Sequence, residues 1–307
     1  MANLIIAKHT KSATTSFMKQ PVLFGIKKCL AIAFVAVLIA SCKKDDNAAT
    51  NTTPLSVSKV NYQWGDLAIN KKFVSDVVKY TGDGKVDSVI SFDENGTATH
   101  RIGFTYAGSN LTLNTNEKDS YKLDNEGRVV YHNSEEVQNG NNIKSMENFS
   151  YDANGYLNKV TMSIDFDNKT NSTYSVINYE VKNGNYSKFT LSNTDGGLIT
   201  RQYSFNYNTA VKVLSPVALF APIFATNTTS NVDKYLNYGK GSKNLLNSID
   251  YVITNLDKTV SKGSFKAVSK VNKDNYITEL VLDGASLTAF PSDNISPLPR
   301  SMQFTLK

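Results

Sequence analysis

From Ser56 to its end, the chain alternates apolar and polar residues in short stretches that Asp, Asn and Gly separate. The clearest stretches each put large side chains on one face, namely Ile102, Phe104 and Tyr106; Val160, Met162, Ile164 and Phe166; and Tyr203, Phe205 and Tyr207. Alternation at period two is typical of a strand with one buried face. Because helix-period stretches with capping residues are scarce, the pattern predicts an all-β, antiparallel protein.

The turns between these stretches repeat as well. Three of them have an aromatic residue or Leu, then Asp, two further residues and Gly, and they end at Gly96, Gly127 and Gly155. Aspartate bonds the backbone two residues on, and glycine accepts the positive φ of a type I turn with a bulge. The three glycines are 31 and 28 residues apart, which leaves room for about two strands per repeat. The spacing predicts a meander of repeated hairpins.

These turns, the aromatic-x-aromatic strands and the run Tyr238–Leu246 resemble a family of Bacteroidota lipoproteins known as a domain of unknown function with a porin-like fold. More distantly, the turns are similar to the YD repeats of Rhs-type shell proteins. The resemblance extends from about Lys59 to the end of the chain. It implies a large curled antiparallel sheet, open or half-barrel, and it implies no reaction, because the family has no established activity or site.

A membrane-spanning barrel is the alternative to that sheet. Strands of such barrels also alternate, but they usually close with a terminal aromatic residue, whereas this chain ends in Phe304, Thr305, Leu306 and Lys307 and has a predicted lipid anchor, described below. The sequence therefore favours a soluble sheet that does not span a membrane. We expect a single β domain over residues 56–307, with a connection at about 208–248 in which Pro216 and Pro222 exclude a central strand.

The N-terminal residues 1–41 read as a lipoprotein signal peptide. Lys27 and Lys28 precede an apolar run at residues 30–40, which is about half the roughly 20 residues that span a bilayer. Small residues then lead to Cys42, the predicted lipidation site; an ordinary signal peptide with a chance cysteine is the alternative. Residues 42–55 read as a flexible tether.

Within this tether, the short acidic motif Lys44, Asp45 and Asp46 resembles the surface-export signal of Bacteroidota-type lipoproteins. A merely solvated charge cluster is the alternative. We expect an outer-membrane protein that is anchored by lipid and faces the cell surface.

Composition excludes several classes of function. Five of the 33 basic residues and none of the 27 acids precede Cys42, so the mature part has 28 basic and 27 acidic residues and no basic patch for a nucleic acid. Both cysteines, Cys29 and Cys42, are lost to the signal peptide and the lipid, which excludes a disulfide, a thiol nucleophile and a cysteine zinc site. Membrane contact is expected through the lipid anchor only.

Residues for catalysis are few. His100 and His132 lack metal-binding spacing, and each is expected to be an exposed strand histidine. The acid pairs Glu135-Glu136 and Asp165/Asp167 could serve a carboxylate-based glycan hydrolase, but nothing else supports that role. No catalytic residue, metal site or cofactor is predicted.

An aromatic platform is the one candidate for ligand binding. Trp64 is the only tryptophan and lies beside Tyr62, in a chain with 16 tyrosines. Such rings stack on sugars, although a Trp that covers the core of the first strand is the simpler interpretation. The sequence therefore favours a non-catalytic binding or structural module for a glycan or an envelope protein, with an extracellular glycan hydrolase as the alternative.

Overall fold

The structure, a computed structural model, describes residues 56–63, 73–115, 119–138, 141–166, 169–193, 200–214, 235–255, 257–283 and 301–307. Sixteen strands lie in these ranges. Their bounds are β1 Val57–Gln63, β2 Val74–Tyr80, β3 Val86–Phe92, β4 Ala98–Ala107, β5 Asn110–Leu113, β6 Ser120–Leu123, β7 Val129–Gln138, β8 Asn141–Tyr151, β9 Leu157–Phe166, β10 Lys169–Lys182, β11 Asn185–Asn193, β12 Thr200–Lys212, β13 Asn244–Thr254, β14 Val260–Val271, β15 Ile277–Asp283 and β16 Ser301–Leu306.

The sheet closes into a barrel. Each strand pairs antiparallel with its neighbours in sequence, and β1 pairs with β16, with Val60 opposite Phe304 and Tyr62 opposite Met302. The prediction of an open or half-barrel sheet is therefore wrong. The turn pattern predicts several of the hairpins, but closure depends on pairing between the two ends of the domain, about which local turns carry no information.

Closure also overturns the prediction of a soluble sheet that does not span a membrane. Closed antiparallel barrels are the form in which β-sheets cross outer membranes, so the sequence-based exclusion of a membrane barrel does not hold. No helix in the described ranges is long and apolar enough to cross a membrane.

The core lies inside the barrel. Side chains from one face of all sixteen strands form a single apolar cluster, and only the barrel interior can cover one face of every strand. The predicted faces are confirmed: Tyr203 and Phe205 are buried on β12, and Phe104 is buried on β4. On β14 the opposite face exposes Lys262 and Lys266. Stacked rings link neighbouring strands, as between Phe189 and Tyr203, whose centroids are 4.5 Å apart.

The repeated turns share one hydrogen-bond scheme. In each of the three, Oδ1 of the aspartate accepts hydrogen bonds from the backbone N–H groups two and four residues on, as Asp152 does from Asn154 at 2.9 Å and Tyr156 at 2.8 Å. Gly96, Gly127 and Gly155 have φ angles of 79°, 72° and 85°, the backbone that the sequence pattern predicts. A fourth copy between β14 and β15 uses Asn272 as the acceptor.

The two ends of the barrel differ. Tight turns at residues 81–85, 108–109, 124–128, 152–156, 183–184 and 272–276 lie at one end, named here the short-turn end, where β1 also begins. At this end residues 235–243 of the connection from β12 to β13 contact β1, β2 and three of these turns. Because β12 extends to Lys212 and β13 begins at Asn244, regular strand replaces both ends of the predicted connection at about 208–248.

Candidate functional site

Residues 235–243, named here the crossing segment, begin inside the barrel. The hydroxyl of Tyr235 donates to Oδ2 of Asp76 at 2.9 Å and lies 2.8 Å from the hydroxyl of Tyr62. Ser91 donates to the other oxygen of Asp76 at 2.7 Å. Burial raises the pKa of Tyr62 and of Tyr235 well above 10, so both hydroxyls stay protonated at neutral pH. These bonds fix the segment to β1 and β2.

The crossing segment then follows the rim of the short-turn end. Its backbone N–H groups donate to glycine carbonyls of two turns, Lys240 to Gly155 at 3.0 Å and Lys243 to Gly184 at 3.1 Å. Gly239 has a φ of 84°, and a Cβ at this position would overlap the carbonyl oxygen of Gly155. The contact therefore requires glycine at position 239, and the segment closes part of the barrel mouth.

A pocket of about 340 Å³ remains beside the crossing segment. Val86, Leu111 and Leu236 form a buried apolar floor, and the half-buried rings of Tyr80 and Tyr106 form part of the wall. The exposed rim carries Lys85, Glu126 and Asn237. An apolar pocket with a few polar groups at its edge is the usual form of a small-molecule site.

Cations lie over the two pocket tyrosines. Nζ of Lys85 is 5.4 Å from the ring centre of Tyr106, and Nζ of Lys307 is 4.8 Å from that of Tyr80. Burial raises the pKa of each tyrosine to about 12, so their hydroxyls are neutral at physiological pH. Thr81 and Lys85 hold the pKa of Asp83 at about 2, and this carboxylate is ionised near the rim. The pocket thus combines neutral aromatic rings with fixed charges of both signs.

A second and more polar pocket, of about 380 Å³, opens on the other side of the crossing segment. Asp152, Asn154, Asn183 and Lys240 contribute polar groups, and Tyr156 contributes a ring. Because its lining residues are mostly polar and three of them are exposed, it offers less apolar contact to a ligand than the first pocket.

A polar cluster is buried elsewhere in the interior. Nδ1 of His132 lies 3.1 Å from Oε2 of Glu147, and Nε2 lies 3.3 Å from Oδ1 of Asp119. The imidazole is only 1% exposed and stacks on Tyr121 at 4.3 Å. The prediction of an exposed histidine is therefore wrong for His132, although it is right for His100. The sequence carries no sign of the cluster, because its members are brought together by strand pairing.

The cluster does not form a metal site, because its two carboxylates flank opposite ring nitrogens. No group of three or more His, Cys, Asp or Glu side chains in the described part of the chain could hold a metal ion. A substrate also has no path to it, since Asp119 and Glu147 are 4% and 2% exposed. The arrangement therefore suits structural stabilisation.

The predicted aromatic platform is not assembled at the surface. Tyr62 is 4% exposed inside the barrel, and Trp64 lies outside the described residues. Cys42 and the motif Lys44, Asp45 and Asp46 also lie outside them, so lipidation and export stay predictions. Two of the tyrosines that line the first pocket, Tyr80 and Tyr106, come from strands β2 and β4, and only the fold reveals them.

Of the predicted acid pairs, only Glu135 and Asp165 have described side chains. Glu135 forms an ion pair with Lys144 at 3.5 Å, and Asp165 is half-buried on β9. The side chain of Glu136, and Asp167, lie outside the described part of the chain. The hydrolase alternative therefore stays a prediction.

Comparisons with known proteins identify similar folds. No protein-family model matches the chain, and no curated protein matches it. A porin-like protein from Bacteroides uniformis ATCC 8492 is 14% identical, with a TM-score of 0.56 over 83% of this chain and 99% of that chain. One from Bacteroides vulgatus ATCC 8482 is 12% identical, with a TM-score of 0.53 over 82% and 98%. The chain therefore has a porin-like barrel fold, which is compatible with an outer-membrane protein.

Proposed function

We propose that this protein is an outer-membrane lipoprotein that is anchored through Cys42. The pocket of about 340 Å³ at its short-turn end binds a glycan without catalysis. The observation that carries the proposal is the pocket formed by Tyr80, Tyr106 and the crossing segment. A volume of about 340 Å³ lies at the small end of the range for ligand sites, which fits one or two sugar rings.

The pocket chemistry supports a sugar more than a purely apolar ligand. Sugar rings have one apolar face, which packs on an aromatic ring, and hydroxyl groups that need hydrogen-bond partners. Tyr80 and Tyr106 supply the rings, while Lys85, Glu126 and Asn237 supply donors and acceptors at the rim. A long acyl chain would pack on the apolar floor of the pocket, but it would form no polar contacts with the charged side chains of the rim.

Replacement of Tyr106 by alanine is expected to weaken glycan binding about fivefold, because an aromatic contact contributes about 1 kcal/mol. Titration calorimetry with neutral oligosaccharides of glucose, mannose and xylose measures the effect. Tyr131→Ala is the matched control, since Lys122 lies 5.5 Å over that ring at a site away from the pocket. Absence of binding by the wild type, or equal binding by Tyr106→Ala, would contradict the proposal.

The anchor is tested separately from the pocket. Cys42→Ser is expected to abolish incorporation of a palmitate analogue in cells, because serine cannot form the thioether. Replacement of Lys44, Asp45 and Asp46 by alanine is a control that should keep the label and remove only surface exposure. Label retained by Cys42→Ser would refute lipidation at this residue.

A further inference from the structure

The barrel wall contains a gap beside its two shortest strands. β5 and β6 have four residues each, whereas the flanking β4 and β7 have ten each. Pairing between β4 and β5 extends only from Phe104 to Ala107, and pairing between β6 and β7 ends at Asn133. Among the described residues, positions 98–102 of β4 and 134–138 of β7 therefore have a paired strand on one side only. This opening is named here the wall gap.

Backbone polar groups on both strands point into the wall gap. In an antiparallel ladder, alternate residues direct N–H and C=O to the same side. The carbonyl of Gly103 accepts a hydrogen bond from the N–H of Asn114, so the backbone of Gly103 faces β5. Arg101 lies two residues earlier on the same strand, and its backbone therefore faces the same side, into the gap. On β7, residues 131 and 133 face β6, so Glu135 and Val137 direct their backbone groups into the gap. The gap thus has unused donors and acceptors on both edges.

The width of the wall gap matches added strands. Its base spans three strand-to-strand steps, from β4 through β5 and β6 to β7. At about 4.8 Å per step the two edges are roughly 14 Å apart at the base, which is room for up to two further strands. The edge of β4 offers five residues, or about 16 Å of strand.

Some side chains at the wall gap also lack ion-pair, hydrogen-bond or packing contacts with the other described residues. Arg101 is exposed and forms no ion pair with the described residues. Oδ1 of Asn133, at the base of the gap, is buried and accepts no hydrogen bond from them. Val137 is 72% exposed, the highest value of any large apolar residue in the described ranges. Such features on an unpaired edge are typical of a strand-addition site.

We propose that the wall gap binds an extended segment of a partner protein, which adds to the β4 edge as a further antiparallel strand. The segment alternates apolar residues, which face the interior, with polar residues, and it carries an acid beside Arg101. The proposal is independent of the glycan pocket, since that pocket lies at the short-turn end and shares no residue with the gap.

Amide hydrogen exchange tests the state of the edges in the full chain. The amides of Arg101, Glu135 and Val137 should exchange much faster than those of His100 and Ile102, which face β3. Equal protection of both sets in the free protein would mean that the chain itself covers the gap, and it would overturn the proposal.

A displayed library of random linear peptides identifies the ligand chemistry. We expect selected peptides to alternate apolar and polar residues, and to bind Arg101→Pro about tenfold more weakly, because proline removes the N–H that faces the gap. Proline is tolerated at an edge, so circular dichroism should show an intact barrel. Arg101→Glu, which leaves the backbone unchanged, should weaken the same peptides by charge repulsion. A selection whose binders ignore both variants would refute the proposal.

Discussion

His132→Ala is expected to lower the free energy of unfolding by about 3 to 5 kcal/mol, because removal of one partner from a buried charged cluster leaves the others in a low dielectric. Both imidazole nitrogens contact carboxylates, Glu147 at 3.1 Å and Asp119 at 3.3 Å. The substitution also removes the ring that stacks on Tyr121 and leaves a cavity. Chemical denaturation followed by circular dichroism measures the loss.

The chain offers a matched control for this variant. His100 is the other histidine of the barrel, and it is exposed on β4. His100→Ala should change the free energy of unfolding by no more than about 0.5 kcal/mol. Similar losses in the two variants would show that His132 is not held by the carboxylates, and the structural role of the cluster would have to be abandoned.

Hydrogen bonding sets the proton count of the cluster. Each contact between imidazole and carboxylate needs one proton, so the three groups together hold two. Either both ring nitrogens of His132 are protonated, or the ring is neutral and one of Asp119 and Glu147 is a carboxylic acid. Both arrangements give these three groups a net charge of −1.

Local features of the fold were predictable from the sequence. Asp152 and Gly155 predict a tight turn because the aspartate bond and the positive φ depend only on residues within the turn itself. The buried faces of β4 and β12 were predictable for the same reason, since alternation is a property of one strand. The hairpins at the repeated turns were therefore derivable, and so was the all-β class.

Features that depend on distant residues were not predictable. The pairing of β1 with β16 joins residues that are far apart in sequence, and no turn encodes it. The position of Tyr235 against Asp76 depends on how the crossing segment enters the barrel. His132 has the same sequence context as exposed His100, a few residues after a D-x-x-G turn, and only the neighbouring strands decide which of them is buried.

The candidate site shows the same division. Tyr80 and Tyr106 are ordinary members of strand patterns, and they become pocket residues only because the crossing segment stands opposite them. The run Tyr238–Leu246 was singled out for its resemblance, and part of it proves to be the segment that closes the barrel mouth. The pocket, however, is lined by Tyr235, Leu236 and Asn237, which precede that run, so the sequence carries no signal for either wall of the site.

Alkaline conditions are expected to unfold the barrel between about pH 10 and pH 12, because its tyrosines resist ionisation while they are folded. Burial raises the pKa of ten of them: Tyr62, Tyr80, Tyr106, Tyr151, Tyr156, Tyr179, Tyr186, Tyr203, Tyr207 and Tyr235. The pKa of Tyr203 rises to about 12, against about 10 in the unfolded chain.

The sign of the effect follows from proton binding. A group with a raised pKa binds its proton more tightly in the folded state, so its contribution to stability is complete below pH 10 and is lost as the pH rises towards the folded value. Each fully buried tyrosine adds a slope of up to about 1.4 kcal/mol per pH unit, and half-exposed Tyr80 and Tyr106 add less. Over two pH units, several such tyrosines together remove more than the roughly 5 to 15 kcal/mol that is the free energy of unfolding of a typical domain.

Ultraviolet absorbance of tyrosinate and circular dichroism, recorded together, measure this transition. Both signals should change in one cooperative step, since ionisation requires unfolding. Tyr203→Phe removes one buried hydroxyl, and Tyr203 is 1% exposed. This variant should match the wild type in pH dependence at neutral pH, and it should lose stability less steeply above pH 10. Absorbance that rises while the circular dichroism remains native would show that the tyrosines ionise inside the folded barrel, which would contradict their burial.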